Sequence, residues 1–237
     1  FVMMLLFYLT DRGRHPGNGK NDLRLTSRML RIALPLAFSA YARSALSTLE
    51  HLLVPRGLKS AGFSADRALS GYGTIQGMVM PIISFPACFL MALSELMIPE
   101  LTEAQMRGER AEISRTVRSL LKKGSGYSLA VALAIFIFAD RLGIAVYSSP
   151  EAGHFLRLLA PLIPIMYTDM LCDGCLKGLG QQMWNMGINV LDALLGVLLV
   201  WRVLPVYALT GYICIIYFNE CLNFALSMLR LRKVIRS

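Results

Sequence analysis

Arg43 stands near the middle of an apolar stretch running over 30–54, where a full charge has no obvious reason to be. Placing an arginine at the centre of a hydrocarbon slab costs about 2.5–3.5 kcal/mol on insertion scales, so such a residue should face a cavity or a partner. At 100° per residue, Ser39, Arg43, Ser47 and Glu50 fall within about 80° of one another, which makes one face of the predicted helix polar. Two readings of this stripe stay open. Arg43 and Glu50, two turns apart, form an internal ion pair that steadies a bundle, or Arg43 opens onto water to hold an anionic group. A guanidinium suits phosphate because its planar fork donates two parallel hydrogen bonds and keeps its charge.

Other ionisable residues sit in comparable places. Glu95 shares a face with Ser84 and precedes Pro99 by one turn, close enough to a helix end to reach water. Asp169, Asp173 and Lys177 recur at i, i+4 and i+8, with Asp173 before Lys177 in the favourable order for a helix pair. Asp169 lies deeper with no evident partner, so it is a candidate for taking up a proton or a cation, with hydrogen bonding between helices as the alternative. Asp169, Asp173 and Glu95 are therefore the candidate ion-coupling residues. Asn185, Asn189 and Asp192 share one face, Asn219, Asn223 and Ser227 another, with Glu220 beside the second; amides within membrane helices mostly hold helices together.

The elements that carry these residues follow from composition. Hydrophobic residues make up 55% of the 237, charged residues 16%, against about 25% charged in a soluble domain. The apolar residues come in runs of about 20, each enough to cross roughly 30 Å of hydrocarbon. Spans are expected at about 30–54, 72–98, 119–140, 155–177, 183–203 and 207–229, an all-α, polytopic transmembrane bundle of about six spans. Pro35, Pro81, Pro86, Pro161 and Pro164 fall within them and should bend their helices.

The net charge of +9 does not point to nucleic acid, because the Lys and Arg residues cluster between the apolar runs. Seventeen of the 24 fall in one alternating set: the first loop, the 99–123 segment, Lys177 and the tail from Arg230. Arg56, Lys59, Arg67, Arg141, Arg157 and Arg202 form the other set. The positive-inside rule then places the first loop, 99–123 and the C-terminus in the cytoplasm. The 99–123 segment reads as an amphipathic helix, with Glu109, Glu112, Arg115 and Arg118 at helical spacing; as a solvated connector or as a dock for anionic headgroups it fits the same charges.

Residues 1–10 are apolar and too short to span, and read as the end of a preceding transmembrane helix. Residues 11–29 read as a cytoplasmic linker, 30–229 as a six-helix lobe and 230–237 as a basic cytoplasmic tail. The five cysteines, Cys88, Cys172, Cys175, Cys214 and Cys221, lie in apolar runs and read as buried thiols; Cys172 and Cys175 have CxxC spacing without a second pair. His15, His51 and His154 are far apart and no phosphate-binding glycine loop precedes a helix, so neither an enzyme, a catalytic residue, a cofactor nor a metal site is expected.

Four stretches carry a family resemblance: "RIALPLAFSAYARS" from Arg31, "MVMPIISFPACFLMALSELMIPELTEA" from Met78, "APLIPIMYTDMLCDGCLKGLGQQ" from Ala160 and "FNECLNFALSMLRLRKV" from Phe218. Together they resemble bacterial polysaccharide biosynthesis proteins related to stage V sporulation protein B, in the multidrug/oligosaccharidyl-lipid/polysaccharide flippase superfamily. "LKGLGQQ" is the most specific piece. The resemblance implies one lobe of a two-lobe transporter in the bacterial plasma (inner) membrane, with an N-terminal lobe elsewhere in the same protein. It also implies alternating access for lipid-linked oligosaccharide or peptidoglycan precursors in cell-envelope polysaccharide biosynthesis. Ser39, Arg43, Ser47 and Glu50 are then the expected substrate-binding residues, and lipid-linked glycan and membrane lipids the expected partners. Glu95 departs from the neutral residue expected at its place. A cation-coupled multidrug exporter of the same architecture, favouring the acidic residues, and a non-transporting membrane scaffold are the alternatives.

Overall fold

Apolar runs of about 20 residues, bounded by glycines and prolines, satisfy their backbone groups in hydrocarbon by staying helical. The structure, a computed structural model, describes residues 3, 7, 10, 23–62 and 65–236, and every regular element among them is helical. The elements are α1 (Leu23–Ser60), α2 (Ala65–Thr74), a π-helical turn (Ile75–Val79), α3 (Met80–Arg107), α4 (Arg110–Tyr147), α5 (Pro150–Leu159), a 3-10 turn (Ala160–Leu162), α6 (Ile163–Gly178) and α7 (Gln182–Arg236). Most of residues 1–10 and residues 11–22, where the preceding helix end and much of the linker are expected, lie outside the described residues. Two compact units divide the chain, Phe1–Phe38 and Ser39–Ser237. In the first, the described part of α1 carries exposed Leu30, Leu34 and Phe38.

Four helices among the described residues are long and apolar enough to cross a membrane, against an expectation of about six: Ser70–Arg107, Arg110–Tyr147, Pro150–Gly178 and Gln182–Ile235. The difference has two sources. α1, with Arg43, Glu50 and a row of hydroxyls, is not among the four. The expected fifth and sixth spans are one element, α7, interrupted at Ala208, whose φ of 51° and ψ of −136° are not helical. Its 55 residues would reach about 80 Å if straight, more than twice the hydrocarbon thickness. Instead the element doubles back: Arg230 donates to Gln181 Oε1, and Asn219 lies against Gly196. Pro205, one turn before the break, cannot donate the backbone hydrogen bond that would hold the helix straight.

The 99–123 segment is not one amphipathic helix. α3 runs on to Arg107, Gly108 closes it in the left-handed region (φ 75°), and α4 starts at Arg110. Gly108 tolerates that conformation because it has no Cβ. Of the prolines expected to bend their helices, Pro161 coincides with a change of helix type, while Pro35 and Pro86 lie inside continuous helices and Pro81 opens one. Pro86 and Pro99 lie inside α3, Pro161 in the 3-10 turn and Pro164 in the first turn of α6.

Side-chain hydrogen bonds to backbone carbonyls tie the helices together. The buried Tyr167 hydroxyl donates to Ile83 O, Ser94 Oγ to Met170 O at 3.4 Å and Thr102 Oγ1 to Gly178 O at 2.9 Å, so α3 and α6 run parallel. α4 runs antiparallel to α3, with Tyr127 donating to Pro86 O at 3.0 Å. It meets α5 where Gly143 and Gly153 touch: a Cβ on Gly143 would stand 2.5 Å from Gly153 N. Small residues allow this because hydrocarbon offers helices no hydrophobic drive, and close packing must replace it. α6 is the buried centre, with Tyr167, Leu171, Cys172, Cys175 and Leu176 all at 1% exposure or less.

Candidate functional site

The turn that ends α5 and the prolines that open α6 present the polar stripe of α6 to the second half of α7. Asn223 Nδ2 donates to Asp169 Oδ2 at 3.0 Å, and one turn on, Ser227 Oγ donates to Asp173 Oδ1 at 3.4 Å. Both partners advance by four residues, so the two helices are parallel and their stripes are in register. Asp169, read from sequence as lacking an evident partner, therefore has one. It is 5% exposed, and its other oxygen, Oδ1, is buried without a hydrogen-bond partner. Asp192 Oδ1, Asn219 Oδ1 and Asn223 Oδ1 are in the same condition. Four unmet acceptors in one region are expensive, since a buried polar atom without a partner costs about 1–3 kcal/mol.

Asp169 and Asn223 border a cavity of about 530 Å³. Arg43 enters from α1, Ser84 and Glu95 from α3, Asp169, Asp173 and Lys177 from α6, Asn189, Glu220 and Asn223 from α7. A second cavity, of about 420 Å³, is walled by Ser39, Arg43, Ser44, Ser47 and Thr48 of α1 and by Asn189 of α7. Arg43 and Asn189 belong to both, so the two spaces adjoin at these residues.

The structure thus brings Ser39, Arg43 and Ser47 together, and Asp169, Asp173 and Glu95 together, with Arg43 between the sets. Glu50 stands apart from both cavities. It turns towards α7, where its Oε2 would lie 3.2 Å from a Cβ on Gly196, beside Asn219. The Arg43–Glu50 ion pair is not formed, nor is one between Asp173 and Lys177. Among the described residues the ion pairs are Arg107–Glu103 and Arg157–Asp140. No group of three or more His, Cys, Asp and Glu among the described residues is arranged to hold a metal ion. Cys172 and Cys175 are buried, but Cys88, Cys214 and Cys221 are exposed, and Cys88 borders the larger cavity, contrary to the expectation for all five.

One polar network escaped the reading of the sequence. His51 Nδ1 makes a short hydrogen bond with the Tyr72 hydroxyl, Tyr72 packs edge-on against Tyr212, and Gln76 in the π turn donates to the Tyr212 hydroxyl at 2.6 Å. The glycines around Tyr72 and Gln76 were the available signal, since π turns have no periodicity of their own.

Residues 60–201 match the MatE family. The chain belongs to the MatE family. Its members are membrane transporters of the multidrug/oligosaccharidyl-lipid/polysaccharide flippase superfamily, and the chain is a multi-pass membrane protein. Among curated relatives, sporulation protein YkvU of Bacillus subtilis (strain 168) is 28% identical over 184 residues, 76% of this chain and 41% of that protein. Stage V sporulation protein B of the same organism is 24% identical over 183 residues, 76% of this chain and 34% of that protein. The chain spans well under half the length of either. No solved structure matches it. In the family, the apolar helices read from composition and the sporulation-related resemblance agree.

Proposed function

We propose that this chain is the C-terminal lobe of a flippase that moves lipid-linked oligosaccharide or peptidoglycan precursors across a bacterial plasma membrane by alternating access. In this reading 30–229 form the lobe, 11–29 the linker from an N-terminal lobe of the same protein, and 230–237 a cytoplasmic tail. The observation that carries it is Arg43. It borders both cavities, has a serine hydroxyl one turn away on either side, and makes no ion pair among the described residues. An arginine without an ion-pair partner inside a membrane bundle is suited to an anionic ligand, and a diphosphate accepts the bidentate fork. A glycan headgroup loses many hydrogen bonds in hydrocarbon, each costing several kcal/mol. The hydroxyl, amide and charged side chains bordering the two cavities supply replacements while the polyprenyl tail stays in lipid.

The test is the full-length protein with Arg43→Ala in its own host. Lipid-linked precursor should accumulate in the cytoplasmic leaflet by about tenfold or more, as expected for losing a charge-assisted pair. An unchanged leaflet distribution rules Arg43 out as a headgroup ligand. The second reading, a cation-coupled exporter, draws on the unmet Oδ1 of Asp169 beside Asp173 and Glu220. There Asp169, Asp173 and Glu95 would couple transport to a proton or cation gradient.

A further inference from the structure

We propose that a groove between α4 and the end of α7 binds the headgroup of an anionic phospholipid of the surrounding bilayer. The groove is about 530 Å³ and is separate from the two cavities of Arg43. Its floor is apolar, with Val117 and Leu231 each 1% exposed. Three cations rim it: Arg118 and Lys122, one turn apart on α4, and Arg232 on α7. All three are exposed, and none belongs to either ion pair found among the described residues.

Two features select a lipid over a free anion. Lys122 and Lys123 are the last charges on α4 before the apolar run from Gly124 to Ala139, so the rim stands where headgroups meet hydrocarbon. The same helical face then continues as an apolar lane. Arg118, Lys122, Leu129 and Leu133 fall within about 60° of one another at 100° per residue. Leu129 is 63% exposed and Leu133 59%. A phosphate held at the rim would lay an acyl chain along this lane for about 22 Å, the rise from Arg118 to Leu133. Basic clefts between transmembrane helices at this depth attract phosphate-bearing headgroups, each cation adding to the attraction. The inference needs only that the chain spans a membrane, and holds whatever the transported substrate is.

Phosphatidylglycerol and phosphatidylcholine are the probes. The purified full chain, delipidated and given an equal mixture of both, should retain phosphatidylglycerol by native mass spectrometry, and millimolar inorganic phosphate should not displace it. The triple variant Arg118→Gln, Lys122→Gln, Arg232→Gln should retain it about tenfold less or worse. A control triple variant at the same end but off the rim, Arg107→Gln, Arg110→Gln, Lys233→Gln, should retain it as the parent does. Equal loss in both variants would mean general surface charge, equal retention of phosphatidylcholine would mean no headgroup selection, and displacement by phosphate would mean an anion site without a lipid; each overturns the proposal. A photoactivatable phosphatidylglycerol on the unmodified chain removes dependence on the variants folding. Its adducts should map to 114–133 and 228–235, and adducts elsewhere alone would overturn the site.

Discussion

Asp169 and Asn223 show how a polar side chain within a membrane helix both holds a bundle and leaves something over. The 3.0 Å bond between them satisfies one carboxylate oxygen, and the remaining Oδ1 has nothing. Asn223→Leu removes the donor and leaves the whole carboxyl group unmet, so it should destabilise the protein by about 1–3 kcal/mol, read as a lower melting temperature in detergent. Asp169→Asn keeps an oxygen for Asn223 and nearly the same shape, so it should fold with a melting temperature close to the parent's. That makes it the variant for testing ion coupling. If the exporter reading holds, Asp169→Asn abolishes drug efflux by the full-length protein, and parental efflux removes Asp169 from the coupling role. The serine and arginine stripe of α1 was legible in the sequence because a 3.6-residue repeat states which side chains share a face. Periodicity does not state which neighbour a face meets. Glu50, on the same stripe, therefore meets Gly196 rather than the cavities, and Asp169 finds a partner 54 positions away.

At the scale of elements, two glycines of α4 separate packing from propensity. A Cβ on Gly126 would meet nothing within 4 Å, whereas on Gly143 it would stand 2.5 Å from Gly153 N and 2.8 Å from Ser149 O. Gly126→Ala should stabilise the helix by about 0.5–1 kcal/mol, because alanine restricts the unfolded chain at no steric cost. Gly143→Ala drives a methyl group into the backbone of the α4–α5 turn, and backbone cannot rotate away as a side chain can, so a loss of about 1–3 kcal/mol or more is expected. Melting temperatures of the two variants should move in opposite directions; a parallel shift would mean that α4 and α5 do not meet at this crossing. The boundaries of elements were less legible than their existence. Gly108 was the available stop signal within 99–123, but the helical spacing of Glu109, Glu112, Arg115 and Arg118 suggested an unbroken helix. The reversal at Ala208 had Pro205 as its one local marker, and alanine is a poor predictor of a positive φ.

For the molecule as a whole, composition was enough to establish a helical membrane bundle, because backbone satisfaction in lipid leaves few other architectures. It could not tell whether the polar stripes face each other or face water, which is a question of how helices rotate against their neighbours. The structure answers in two parts. The stripes of α6 and the second half of α7 bond to each other and also border the larger cavity, and Ser39, Arg43 and Ser47 of α1 line the smaller one. If those cavities are half of a chamber completed by an N-terminal lobe, they must admit water in at least one state of the full-length protein. In a background with the natural cysteines replaced, Ser39→Cys, Arg43→Cys and Ser47→Cys should each react with a membrane-impermeant maleimide from one side of the membrane. Leu133→Cys, exposed on α4 towards lipid, should stay unreactive, because a thiol in hydrocarbon forms little of the thiolate that attacks. Added anionic substrate should protect position 47, the neighbour of Arg43 by one turn, more than any position on α4. Labelling at 39, 43 and 47 no faster than at 133 in every state would mean that the α1 stripe is sealed against protein. The transporter reading of Arg43 would then fail, leaving the stripe as packing.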